Sequence, residues 1–319
     1  MSKPVLWIVI PCYNEEQVLP ITAPMFLEKI HSLTAQGLVS DKSRVLFVND
    51  GSRDATWEKI RKASDDNPHV RGICFSRNFG KESAMMAGLA YAKGAACVII
   101  DCDLQHPPEK IIEMYHLWEN GYKVVEGVKL SRGRESFLHK WAAGMFYALI
   151  SAATKIDMRN ASDFKLMDRE VVDAILKMPE KQFFFRAISS WVGFKSTSVE
   201  FEVQERQQGE SKWSVKSLIR YAVTNITSFS SVPLQLVTWS GFLFFLFALV
   251  IGIQTLVRFI MHDSLEGFTT VIMLQLITSS ILMIAVGIIG YYIAKIYDEV
   301  KDRPRYIVEE ETGENKTDG

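Results

Sequence analysis

Two acids stand one residue apart in "VIIDCDLQHPPE", residues 98–109. An apolar run leads straight into Asp101 and Asp103, so the pair is expected where a buried strand opens into a loop. Residues i and i+2 of a strand point to the same side. Two carboxylates on one side repel each other unless a cation lies between them. Hard oxygen ligands of this kind suit Mg2+ or Mn2+ with positions left open, and such a cation typically bridges the oxygens of a diphosphate. Asp50 and Glu15 are further acids at strand ends. They suit the hydroxyls of a ribose or the edge of a base, and Tyr13 can stack on that base. Helix capping is the plainer reading of Glu15 and Asp54. For Asp50, the clustering of polar strand ends favours a binding role over a cap.

The elements that must position these residues alternate in type. "VLWIVIP" reads as a strand, followed by a helix near 15–36. "RVLFVND" (44–50) leads to a helix near 54–65, and "VRGICFS" (70–76) to one near 81–93. "ACVIID" is the fourth strand. Continuous apolar strands separated by helices argue for an α/β fold with a mostly parallel sheet covered on both faces. Ligands bind beyond the carboxyl ends of such strands. Those ends read "PCYNEE", "NDGSRDAT", "SRNFGKE" and "DCDLQHPPE". Four polar, turn-forming ends in succession look like one site. No GxGxxG follows a strand and no P-loop pattern occurs, so the dinucleotide reading fails locally. Residues 104–200 add helices and the strand candidates "KVVEGV", "DFKLMD" and "STSVEFEV".

The chain has 319 residues, 48% of them hydrophobic, and a formal net charge of -1. That length carries one α/β domain and a further element. Bulk charge offers nothing to nucleic acid, so any basic site is local. Cys12, Cys74, Cys97 and Cys102 form no CxxC pair or zinc spacing and read as small buried residues in a reducing compartment. "KPVLWIVIP" is too short for a leader and enters a polar turn at once. Two later segments break the soluble pattern. "PLQLVTWSGFLFFLFALVIGIQTLV" (233–257) and "FTTVIMLQLITSSILMIAVGIIGYYIA" (268–294) each exceed the about 20 apolar residues that span a bilayer. The short link "RFIMHDSLEG" makes them an antiparallel hairpin. Lys212, Lys216 and Arg220 precede the pair, and Lys295, Lys301, Arg303 and Arg305 follow it. This bias puts both long flanks in the cytosol. Residues 213–232 suit an interfacial helix, and the acidic 309–319 is expected to be disordered.

At this point the residues carry a resemblance. "IPCYNEE", "FVNDGSRDAT", "SRNFGKESAMMAGL" and "IDCDLQHPPE" resemble the A-type (GT-A) fold of glycosyltransferase family 2. More narrowly, they are similar to the polyprenyl-phosphate glycosyltransferases, which include dolichol-phosphate mannose synthases and bacterial bactoprenol glucosyltransferases. The ordered match continues through "EGVKLSRGRES", "NASDFKLMDREVVDAI", "ERQQGESKWSVKSLI" and "FSSVPLQL" to "RPRYIVEE". "DFKLMDR" stands close to the "DFRLMDR" of the glucosyltransferase branch.

The resemblance implies a GT-A domain over 1–212, a juxtamembrane region over 213–232, two transmembrane helices at about 233–258 and 268–294 within 233–297, and a cytosolic tail over 298–319. It implies that Asp101 and Asp103 hold Mg2+ or Mn2+, with Gln105 nearby. Pro11, Tyr13, Glu15 and Asp50 would bind the nucleoside of a UDP-sugar, with Lys81 and Cys102 in the same donor site. Asp163 would lie near the sugar, as base or donor contact, with Asp103 as its catalytic companion. Lys129, Arg132, Arg134, Arg206 and Lys212 would address phosphates. The chain departs from the family pattern in four places. Cys102 stands for Ala, Ser162 for Gly, and Lys129 and Lys165 for Arg, which removes a bidentate fork. The implied reaction is inverting transfer of a sugar, glucose from UDP-glucose first, onto undecaprenyl or another polyprenyl phosphate. The implied setting is the cytosolic face of a bacterial inner membrane, in a homo-oligomer such as a tetramer. Mannose, galactose, an N-acetyl sugar or 4-amino-arabinose are alternative cargoes. A processive synthase would need a QxxRW-type motif and more spans. A non-catalytic scaffold predicts loss of the acids, yet Asp50, Asp101, Asp103 and Asp163 are all present.

Overall fold

The computed structural model describes residues 3–130, 162–179, 185–186, 191–202, 232–261 and 267–313. The chain divides into two compact units, Met1–Trp213 with Pro304–Gly319, and Ser214–Arg303.

The first unit is built on an eight-stranded mixed sheet. Its strands are β1 (Leu6–Cys12), β2 (Arg44–Asn49), β3 (Val70–Phe75), β4 (Ala96–Ile99), β5 (Val124–Lys129), β6 (Lys165–Asp168), β7 (Ser196–Phe201) and β8 (Val308–Glu311), in the order β7-β5-β6-β4-β1-β2-β3-β8. β4, β1, β2 and β3 run parallel, as do β5 and β7; β6 and β8 run antiparallel to their neighbours. The central strands are apolar on both faces because both are covered. Ile8, Val9, Ile10, Val45, Phe47, Val48, Val98 and Ile99 are fully buried. Helices α1 (Leu19–Ala35), α2 (Thr56–Asp66) and α4 (Lys110–Glu119) cover one face; α3 (Lys81–Tyr91) and α5 (Arg169–Leu176) cover the other. α3 lies close on β1 because residue 88 is glycine; a Cβ there would run into the Val9 side chain.

Two expectations are corrected. β4 ends at Ile99, so Asp101 and Asp103 belong to the loop and the strand alternation does not orient them. The tail is not disordered over residues 309–313. β8 pairs with the outer edge of β3, Trp57 Nε1 donates to Glu310 (2.7 Å), and Tyr91 OH donates to Glu311 (2.6 Å). An acidic strand with no apolar alternation reads as a tail in sequence; two aromatic donors and an open sheet edge order it.

The second unit contains α6 (Val232–Ile260) and α7 (Phe268–Val300), which touch each other. Among the described residues, one helical stretch, Met273–Val300, is long and apolar enough to cross a membrane, and none of it is buried. A shorter apolar stretch, Val237–Ile251, lies in α6. Trp239, Phe242, Leu243, Phe245, Ile284 and Ile293 are all exposed. A core helix of a water-soluble domain would cover such residues.

Candidate active site

The loops after β1, β2, β3 and β4 enclose a pocket of about 380 Å³, lined by Pro11, Tyr13, Glu15, Asp50, Asn78, Lys81, Asp101 and Asp103 among others. The first two loops are stitched together. Asn14, in the left-handed region at φ 57, receives a hydrogen bond from Arg53 N (2.9 Å) and donates its own amide to Ser52 Oγ (2.9 Å). Glu15 N donates to Thr56 Oγ1, and Asp54 accepts from Glu16 N and Thr56 N. One wall of the pocket is thereby held before any ligand arrives.

Asp50 is 3% exposed, and its carboxylate accepts from the amides of Phe79 (2.6 Å) and Gly80 (2.9 Å). The role visible in the fold is to fix the turn into α3, where Gly80 has φ 99. Burial pushes this carboxyl up from its ordinary value, against those two amides. Tyr13 lines the pocket and is 43% exposed, so it is accessible to a ligand there. Cys102 lines the pocket, but its thiol turns to Thr22 Oγ1 (3.4 Å) within the core. Gln105 donates its amide to Asp103 Oδ1 (3.1 Å).

Register explains how a distant acid reaches this pocket. β4 and β6 pair antiparallel with Ile99 opposite Lys165. Two residues beyond each lie Asp101 and Asp163, brought to the same sheet edge. Lys81 Nζ bridges them, at 2.6 Å from Asp101 Oδ1 and 2.9 Å from Asp163 Oδ2. Arg186 grips Asp163 with both prongs, Nε to Oδ1 (2.8 Å) and Nη2 to Oδ2 (2.9 Å). Burial opposes the Asp163 charge, but Arg186 and Lys81 outweigh it and hold the carboxyl far below the usual carboxylate range. Loss of solvent likewise opposes the Lys81 charge, and Asp101 and Asp163 overcome it, so its pKa lies above that of an ordinary lysine. Glu82, the next residue, is pushed up to about 8 by burial and then by the Asp163 charge.

Arg186 and Glu82 were not legible as site residues. Arg186 is a single cation inside the run "FFFRAI", and that break in an apolar stretch is the one signal it leaves. Lys129 lies at the exposed end of β5, outside the pocket lining. Lys165 is fully buried and pairs with Glu126 (2.7 Å), so it belongs to the sheet and not to a phosphate. Arg132, Arg134, Arg206 and Lys212 lie outside the described residues.

Among the described residues no three His, Cys, Asp or Glu side chains form a ready-made ligand shell. Asp101 and Asp103 still fit a divalent cation held by one or two carboxylates, with substrate phosphates and water completing the shell. One observation adds to that fit. His106 is 5% exposed and its Nδ1 has no hydrogen-bond partner, a condition costing about 1–3 kcal/mol.

Residues 7–176 match the family model described as "Glycosyl transferase family 2". The chain belongs to glycosyl transferase family 2. This member is 42% identical, over 97% of its length and 95% of the relative's, to "Uncharacterized glycosyltransferase YkcC" of Bacillus subtilis (strain 168). It is 36% identical to "Bactoprenol glucosyl transferase" of Shigella phage SfII, over 94% of this chain and 96% of that one. A looser likeness is to Mycobacterium tuberculosis glucosyl-3-phosphoglycerate synthase, solved with Mn2+, UDP and glucosyl-3-phosphoglycerate. There the TM-score is 0.48 and the identity 18%, over 72% of this chain and 80% of that one. The protein is a glycosyltransferase with a mostly parallel α/β sheet of GT-A type.

Proposed function

We propose that this family 2 enzyme moves a sugar, glucose from UDP-glucose as the leading reading, onto undecaprenyl or another polyprenyl phosphate. The setting is the cytosolic face of a bacterial inner membrane, with Mg2+ or Mn2+ as cofactor. The observation that carries this is the Asp101–Lys81–Asp163–Arg186 chain beside Asp103, in a chain similar along nearly all its length to a bactoprenol glucosyl transferase. The paired α6 and α7, with apolar residues exposed along both, support a membrane hairpin that keeps the site near a lipid head group.

The chemistry follows from the groups present. A lipid phosphate is already ionised at neutral pH, so a strong general base is not required. Asp163 is a poor base because two cations hold its charge. It serves better as the anchor that fixes Lys81 and Arg186. A divalent cation on Asp101 and Asp103 would neutralise charge on the departing UDP. Lys81 already supplies a positive charge at that place, next to Asp101. Tyr13, part-exposed in the pocket lining, is assigned to stack on the base. Arg132, Arg134, Arg206 and Lys212 are assigned to the phosphates. Attack opposite the UDP inverts the anomeric centre and gives a β-linked lipid phosphate sugar from an α-linked donor. Assembly as a homo-oligomer, a tetramer in the leading reading, belongs to the same proposal. So do the alternative nucleotide sugars.

The test is a donor panel. Full-length protein in detergent is incubated with undecaprenyl phosphate, Mg2+ or Mn2+, and each labelled UDP- or GDP-sugar, with and without EDTA. EDTA-sensitive label in the organic phase from UDP-glucose alone is the expected result. Asp103→Ala should lose at least about 100-fold in turnover while staying folded. Full turnover in that variant removes the metal assignment, and transfer from another donor alone replaces glucose.

A further inference from the structure

His106 has no explanation in the chemistry above. Its ring lies flat against Phe164 (centroids 5.3 Å apart, 30° between planes) and edge-on to Phe201 (5.4 Å, 80°). This packing fixes the ring plane. Its Nδ1 is buried without a hydrogen bond and faces Asp101, 3.9 Å from Oδ2. The turn that carries it is set by Leu104, at φ 58, and by Asp103 Oδ1 accepting from Gln105 N. Buried polar atoms are almost always paired. His106 Nδ1 stops short of a hydrogen bond to Asp101 Oδ2, and a state of the site in which Lys81 releases that oxygen would give it a partner.

That state can be stated from the Asp101 contacts. Lys81 now holds both Asp101 oxygens, Oδ1 at 2.6 Å and Oδ2 at 2.9 Å. A cation binding at Asp101 must displace this ammonium from at least one oxygen. The other oxygen then needs a donor, because metal-ligating carboxylates are themselves held by hydrogen bonds that orient them. We propose that His106 is a positioning residue for the cation site: its Nδ1–H takes up Asp101 Oδ2 when a divalent cation replaces Lys81 on that carboxylate. His106 thereby sets how tightly the enzyme holds its cation, without touching it. The inference rests on the metal assignment proposed above.

The experiment measures Mn2+ binding directly, so it does not depend on turnover. Full-length protein in detergent is titrated with Mn2+ in the presence of UDP, and free Mn2+ is read from its electron paramagnetic resonance signal. Mg2+ affinity is read by competition. Far-UV circular dichroism and thermal unfolding check each variant. His106→Phe keeps an aromatic ring against Phe164 and removes the donor. His106→Leu and His106→Asn have nearly the same shape, but only Asn places an N–H where Nδ1 stands. We expect Phe and Leu to weaken Mn2+ and Mg2+ alike, by about 10–100-fold, and Asn to recover most of the loss. Equal affinity in wild type, Phe, Leu and Asn variants overturns the proposal. So does a loss confined to Mn2+ with Mg2+ unchanged, which would make the imidazole a direct ligand. Asp101→Asn separates the two levels. If that variant binds Mn2+ as wild type does, the metal assignment itself fails and His106 falls with it. If it loses Mn2+ while the His106 variants do not, only the His106 role fails.

Discussion

Glu82 and Asp163 are neighbouring acids with opposite fates. Asp163 is held as an anion by Arg186 and Lys81 against its burial; Glu82 is raised first by burial and then by the Asp163 charge, which Arg186 and Lys81 only partly offset. A folded pKa near 8 against an ordinary 4.5 means the folded state binds a proton the unfolded chain has released. This contribution to stability is complete below about pH 4.5 and is lost as pH rises through about 8. Glu82→Gln should therefore unfold with wild type near pH 4 and be more stable by about 1–3 kcal/mol near pH 9, discounting for the partial exposure of the site. Thermal melts across that range check it; a constant difference between the two proteins would remove the buried-proton account. Such pairings are where the sequence stops being readable. The acids at 101 and 103 announce themselves by type and spacing, and Asp163 only through the family resemblance. Their partners do not, because Lys81 and Arg186 meet Asp163 across 82 and 23 residues of chain. Asp50 lines the pocket as its neighbours do, and its oxygens also take two amides of a turn that no local pattern predicts.

At the level of elements, the strand–helix alternation was legible because parallel strands buried on both faces leave long apolar runs. Boundaries moved by a few residues, and one such shift took Asp101 off its strand. β8 was hidden because it is stabilised by what it lands on. Tyr306 stacks on Phe75 (5.1 Å, 11°), Gly72 N donates to Thr312 Oγ1 (2.7 Å), and Arg305 donates to the Met178 carbonyl (2.6 Å). Removing this strand would leave β3 with a bare edge, an invitation to pair with another chain. A stop after Arg303 should lower the thermal midpoint by several degrees and promote aggregation of the detergent-solubilised protein. Tyr306→Ala alone should cost about 1–3 kcal/mol from lost aromatic burial and stacking. Trp57, hydrogen-bonded to Glu310, is a natural fluorescent reporter of the release. Unchanged stability after truncation would mean that β8 rests on the sheet without supporting it.

For the whole molecule, the two units treat their apolar residues in opposite ways. The first buries its apolar strands within itself; the second displays its apolar residues outward. Outward display over 20 or more residues is stable where the surroundings are lipid. Hydropathy is a property of composition, so the apolar stretches were legible from sequence; among the described residues one of them, Met273–Val300, is long and apolar enough to cross a membrane. If both stretches span, as proposed, the Lys and Arg residues at 212, 216, 220, 295, 301, 303 and 305 predict the link outside and both flanks in the cytosol. All four native cysteines are buried, so an introduced thiol gives a clean signal. His262→Cys, in the link, should react with a membrane-impermeant maleimide in intact cells, and Lys301→Cys only after lysis. The opposite pattern would put the nucleotide site outside, away from any cytosolic UDP-sugar, and would end the proposed reaction. Labelling of both positions in intact cells would mean that α6 and α7 do not cross the membrane as a pair. The site would then have to meet its lipid acceptor by some means other than a spanning anchor.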